Sequence, residues 1–183
     1  MRDTRQDILN FWFVETPSPQ WFQKSDVFDQ QILERFKISY KLAREGACDG
    51  WQDSPDGTVA LCLLLDQFPR RMFRGTEQAY HADKQALLVA KRAIARECDQ
   101  ALDLIKQRFI YMPFTQSENL ADQQKSVQYF EKNKEGDPVA YMHAQKRCKV
   151  IEAFGRFPQR NAVLGRENTP EEEEYLADPR SVL

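Results

Sequence analysis

Arginine is the residue type with the most chemistry to offer in this chain, and it gathers around two Phe-Pro pairs. Arg70, Arg71 and Arg74 follow Phe68-Pro69, while Arg156, Arg160 and Arg166 surround Phe157-Pro158. A guanidinium is a planar fork of donors, charged at any physiological pH, that meets a carboxylate or phosphate with two prongs. Each segment follows an apolar stretch and precedes a glycine (Gly75, Gly165) and a threonine (Thr76, Thr169). Proline cannot continue a helix, so each pair reads as a hard stop. Two such loops meeting would set several forks around one anion. The expected ligand-binding residues are Arg70, Arg74, Arg156 and Arg160, supported by Asp66, Gln67, Glu118, Asn161 and Arg166. The competing expectation is structural: the arginines pair with Asp66, Glu118 or Glu152, or cap helix-end carbonyls, because ion-pair networks are common.

Asp66 directly follows the apolar run Val59 to Leu65 and is expected to be desolvated. A lone buried carboxylate is too costly, so Asp66 should hold an arginine or accept backbone N–H groups. Ser117 reads as a helix N-cap with Glu118 in the first turn. A nucleophilic serine needs a base, and no Gly-x-Ser-x-Gly setting surrounds this one. The chain has two histidines, His81 and His143, neither in a metal-ligating array. His81 and Asp83, two positions apart, fall on different faces of a helix. Walker and dinucleotide fingerprints are missing as well. No metal and no cofactor are expected.

Stepping outward, the elements that must position these groups are helical. Ile8, Leu9, Phe11 and Trp12 form one face of a helix from about Asp3 to Val14. Ser25 caps a second, carrying Phe28, Ile32, Phe36 and Tyr40 to Glu45, with Gly46 ending it. The turn signal Ser54-Pro55-Asp56-Gly57 precedes a third over Thr58 to Phe68, apolar on all sides and therefore central. Thr76 is expected to cap a long helix to Glu97, and a shorter one from Ala101 to Tyr111 stops at Pro113. Ser117 to Asn133, Asp137-Pro138 to Gly155, and Thr169-Pro170 onward complete the set, the last two with a cap-then-proline start. No strand is expected. Seven or eight helices joined by short loops predict one all-α domain over 1–183, built from stacked antiparallel hairpins.

At 183 residues, 42% apolar and 30% charged, the chain is an ordinary soluble protein with a core large enough to need no disulfide. Its net charge of −2 argues against nucleic acid, which demands a broad basic excess, so any positive field must be local. The longest apolar run is far short of the ~20 residues of a membrane span. Ile8 to Val14, broken by Asn10, is no signal peptide. No membrane partner is expected, and the cytoplasm is the expected compartment. Cys48, Cys62, Cys98 and Cys148 are scattered, as for half-buried thiols in a reducing compartment. Cys148, between Arg147 and Lys149, has cations that would favour a thiolate.

A set of longer strings carries a resemblance. Asp66-Gln67-Phe68-Pro69-Arg70, Phe73-Arg74-Gly75-Thr76 and Arg108 through Phe114 make one half of it. Gly155-Arg156-Phe157-Pro158, Arg160-Asn161 and Leu164-Gly165-Arg166 make the other, with Trp12-Phe13 and Trp21-Phe22 also fitting. The chain resembles, from about Ile8 to Leu176, a bacterial family catalogued as domain of unknown function 924. The resemblance implies an all-helical, tetratricopeptide-like fold and brings no activity to transfer. It also implies departures. Relatives carry histidines where this chain has Gln116, Gln159 and Arg147, and an asparagine where it has Arg71. The groups that titrate near neutrality are thus missing here while the arginines remain, which favours anion binding over acid–base catalysis. The functional expectation is an arginine-lined pocket for an anionic small molecule or acidic group. The alternative is a helical-repeat scaffold holding a partner's acidic peptide, and a hydrolase-like enzyme ranks third.

Overall fold

The computed structural model describes residues 4–178 and 181, and all its regular elements there are helical. The all-α expectation holds. The chain divides into two compact units, one made of residues 1–74 and 78–113, the other of 75–77 and 114–183.

The first unit starts with α1 (Thr4–Asn10), which widens into a π turn over Phe11–Glu15; the expected start at Asp3 lies outside the described residues. Helix α2 (Asp26–Arg44) begins where the Ser25 hydroxyl accepts the Phe28 N–H at 3.2 Å. Its buried face is Phe28, Ile32, Phe36, Tyr40 and Ala43, the four-residue rhythm of an amphipathic helix. Helix α3 (Pro55–Cys62) starts on a Ser54 cap and is buried on all sides from Gly57 onward, as its uninterrupted apolar sequence requires.

The expected stop at Phe68-Pro69 is not there. After α3 comes a π turn, Leu63–Gln67, and the chain runs straight on into α4 (Phe68–Met72). The Phe68 N–H reaches back to the Leu63 carbonyl, one residue further than in an α-helix. That wider turn makes room for the proline ring and leaves its missing N–H unneeded at the first turn of α4. The Asp66 carbonyl, inside the widened turn, accepts from Arg70 Nη1 at 2.7 Å. Thr76 likewise starts no long helix: a 3₁₀ turn over Glu77–Tyr80 precedes α5 (Asp83–Ala95). Helix α6 (Leu104–Thr115) carries Pro113 inside it instead of stopping there.

Trp12, fully buried, centres the first unit's core: Trp21 stacks on it at 5.9 Å, and Phe68 and Phe109 lie 5.5 and 5.7 Å away. Helix α2 packs on α4, and α3 packs on α1 and α5.

In the second unit α7 (Leu120–Lys132) and α8 (Pro138–Phe154) pack along each other and are joined by a short turn, so they run antiparallel. The cap of α7 is Asn119, whose side chain accepts the Asp122 N–H at 3.2 Å, and not Ser117 as the sequence suggested. Asp137 caps α8 as expected, and Gly155 ends it with a left-handed φ of 68° that a side chain would resist. Phe157 is then extended, and Pro158–Arg160 form a 3₁₀ turn. The two Phe-Pro pairs therefore occupy different local structures, one inside a helix and one beyond a helix end. Helix α9 (Pro170–Ala177) opens with a capping box between Thr169 and Glu172. Val150, Ile151 and Phe157 form the buried centre, with Phe154 and Tyr175 packed against it. Among the described residues no helix is long and apolar enough to cross a membrane.

Candidate functional site

Each arginine singled out in the sequence is held by acceptors of its own unit. In the first unit Asp66 is buried, 1% exposed, and its Oδ1 lies 3.1 Å from Arg70 Nη1, one helical turn on. Arg70 Nη2 reaches both oxygens of Asp83, at 2.8 and 2.9 Å. Burial alone would lower the Arg70 pKa; Asp66 and Asp83 outweigh it and raise it. Gln67 donates its amide to Asp66 Oδ2. The pairing expected of Asp66 is present, through an i,i+4 contact that the sequence already contained.

Asp29 holds the next two. Arg74 meets it with Nε at 2.6 Å and Nη2 at 3.0 Å, which raises the arginine pKa. Arg71 Nη1 stands 3.5 Å from the same carboxylate and donates to the Gln23 carbonyl, while Nη2 donates to the Trp21 carbonyl. Burial lowers the Arg71 pKa against the pull of Asp29.

In the second unit Arg156 grips Glu172 with Nε and Nη2 at 2.6 and 2.7 Å. Asn161 donates to the same Glu172 at 3.1 Å and to Asn168 at 2.9 Å. Arg166 meets both oxygens of Glu118 at 2.8 and 3.0 Å, and Glu118 also accepts the Phe157 N–H at 2.8 Å. Burial alone would raise Glu118; Arg166, the Phe157 N–H and Arg160 outweigh it and hold the carboxyl below its usual range.

Arg160 also meets an amide. Its Nη1 donates to the Gln116 backbone oxygen at 3.1 Å and its Nη2 to Gln116 Oε1 at 3.0 Å. Arg147, from the middle of α8, donates to that same Oε1 at 3.2 Å. The two guanidinium carbons lie 4.5 and 5.5 Å from the centre of the Phe157 ring. Two cations thus converge on one neutral amide oxygen beside an aromatic face, with the Glu118–Arg166 pair bonded to the backbone of that same phenylalanine.

Sequence reasoning missed Asp29, Asp83, Gln116, Arg147 and Glu172 as members of these clusters. Only Glu172 had left a local trace, since Thr169-x-x-Glu172 is a capping-box pattern. Glu152, expected as an arginine partner, instead lies 3.6 Å from the Cys148 sulfur. Burial and that carboxylate push the Cys148 thiol up, against the thiolate that the neighbouring cations would favour. Ser117 donates to Asp122 at 2.9 Å. Among the described residues no group of three or more His, Cys, Asp or Glu could hold a metal.

What emerges is an all-helical protein whose Phe-Pro segments are each pinned by arginine–carboxylate pairs. The chain belongs to a bacterial family of proteins of unknown function, DUF924, whose model matches residues 8–180. It is 39% identical to a protein of unknown function from Agrobacterium tumefaciens whose solved structure matches it with a TM-score of 0.89. That likeness covers 95% of this chain and 97% of the other. No curated protein matches the chain.

Proposed function

We propose that this protein binds an anionic small molecule or acidic group, and that Arg160 and Arg147 are the residues that meet it. The observation that carries the reading is their convergence on Gln116 Oε1, at 3.0 and 3.2 Å. An amide oxygen bears only a partial charge, whereas each guanidinium presents five donors. Two like charges sharing that acceptor repel each other, and a carboxylate or phosphate oxygen seated beside them relieves that repulsion. The Phe157 ring, 4.5 and 5.5 Å from the Arg160 and Arg147 guanidinium carbons, attracts both cations to its side. Arg70, Arg74 and Arg156 already hold carboxylates of the chain. In this reading they steady the two segments, with Asp66, Gln67, Asn161 and the Glu118–Arg166 pair, and Arg160 faces the ligand.

A thermal-shift panel of phosphate, mononucleotides and di- and tricarboxylates tests the reading. Wild type is expected to gain stability with at least one class, and Arg147→Gln to lose that gain while keeping its fold, because Arg147 is half-buried on a helix. Arg160→Lys keeps the charge but not the fork and should also lose most of it. Equal responses from all three proteins would count against the proposal.

A further inference from the structure

We propose a second binding site, on the first unit, for a planar aromatic anion. A groove of about 610 Å³ opens beside the C-terminal half of α2, lined also by Phe73, Gln78 and His81 of the same unit, within the roughly 300–1,000 Å³ typical of small-molecule sites. Lys37, Lys41 and Arg44 line it from successive turns of α2, spaced so that their side chains lie one above the other. Tyr40 and Phe73, with ring centroids 5.6 Å apart, and His81 also line it.

Lys41 and Arg44 alone have an ordinary explanation, since cations favour the last turn of a helix. Lys37 lies a turn earlier and falls outside it. The acid on the lining, Glu45, is 4.0 Å from Lys41, and both are more than half exposed, so it neutralises little. Burial raises the Tyr40 phenol despite Arg44 beside it, leaving a neutral hydroxyl. Positive charge and aromatic rings lining one groove suit a ligand that has both an anionic group and a flat ring. A bare anion would leave the aromatic rings unused, and an uncharged ring would leave the lysines unused.

Backbone-amide NMR titrations with adenosine 5′-monophosphate, adenosine and inorganic phosphate separate these parts. The nucleotide is expected to shift amides of residues 37–45 and 73–81 saturably, and to bind more tightly than adenosine or phosphate. The double variant Lys37→Gln/Lys41→Gln changes only exposed side chains and should weaken the nucleotide Kd roughly tenfold, the scale of losing two partly solvated charge contacts. Arg147→Gln should leave these shifts unchanged, which keeps this site distinct from the one at Gln116. An unaltered Kd in the double variant, shifts confined to other residues, adenosine binding as tightly as its monophosphate, or no saturable nucleotide binding would each overturn the proposal.

Discussion

Arg156 and Glu172 meet fork to fork: Nε stands 2.6 Å from Oε1 and Nη2 stands 2.7 Å from Oε2, with the carboxylate 2% exposed. The same carboxylate takes the Thr169 N–H at 2.8 Å and the Asn161 amide at 3.1 Å. One side chain therefore fixes the end of α8, the second Phe-Pro turn and the start of α9. Arg156 first, then Thr169 and Asn161, overcome burial and bring the Glu172 pKa down to about 2 from an ordinary 4.5.

Because that pKa is lower folded than unfolded, the carboxylate's contribution is complete above about 4.5 and fades as pH falls towards about 2. Glu172→Gln keeps a side chain suited to the capping box and removes only the charge. Urea unfolding across this pH range should show the variant less stable than wild type at neutral pH, by more than the ~1 kcal/mol of an exposed pair. The gap should close on acidification. A gap independent of pH would mean that Glu172 acts by shape and not by charge.

Asp66 and Arg74 should differ in weight although each belongs to an arginine–carboxylate pair. Asp66→Ala leaves Arg70 facing a void in the core beside a carboxylate, Asp83, that must carry it alone, and should cost about 3–5 kcal/mol. Arg74 is 38% exposed, so Arg74→Ala should cost about 1 kcal/mol or less, its link to Asp29 being solvent-screened. Chemical denaturation of the two variants beside wild type measures both.

The elements that could be read from sequence were those whose signals are local. Ser25, Asp137 and Thr169 cap the helices they were expected to cap, because a cap and the N–H that donates to it lie within three residues. Asp66 and Arg70, four apart, were also within reach. Pro69 misled because the rule for proline assumes an α-helical register, and the π turn over Leu63–Gln67 changes that register just ahead of it. Asp83 and Asp29 could not be tied to their arginines, since they lie 13 and 45 positions away and only packing closes those distances. Gln116 stood in plain view as a neighbour of Ser117, but nothing local says that a neutral amide will draw Arg147 from 31 residues away.

Glu97 has a φ of 57°, the one left-handed non-glycine among the described residues. It is exposed, so its side chain contributes little packing to set against the strain. The left-handed form costs an L-residue roughly 1–2 kcal/mol, and the extra freedom of glycine in the unfolded chain returns about half of that. Glu97→Gly should therefore stabilise the protein by about 0.5–1 kcal/mol, read as a higher urea midpoint with an unchanged m-value.

Gly57 should show the reverse sign, and it separates two influences that usually agree. Within α3 an alanine is favoured over glycine by about 1 kcal/mol of helix propensity. Here, however, a Cβ would lie 2.2 Å from the Trp51 carbonyl oxygen and 2.8 Å from the Ser54 hydroxyl. The first is backbone of the 3₁₀ turn Asp49–Asp53, and the second is the cap that accepts the Gly57 N–H at 3.2 Å. Neither can give way without undoing the start of the most buried helix in the unit. Gly57→Ala should thus destabilise by about 2 kcal/mol or more, an overpacking cost that exceeds the propensity gain. A midpoint equal to or above that of wild type would show that the turn carrying Trp51 yields freely, and that α3 does not depend on its close approach.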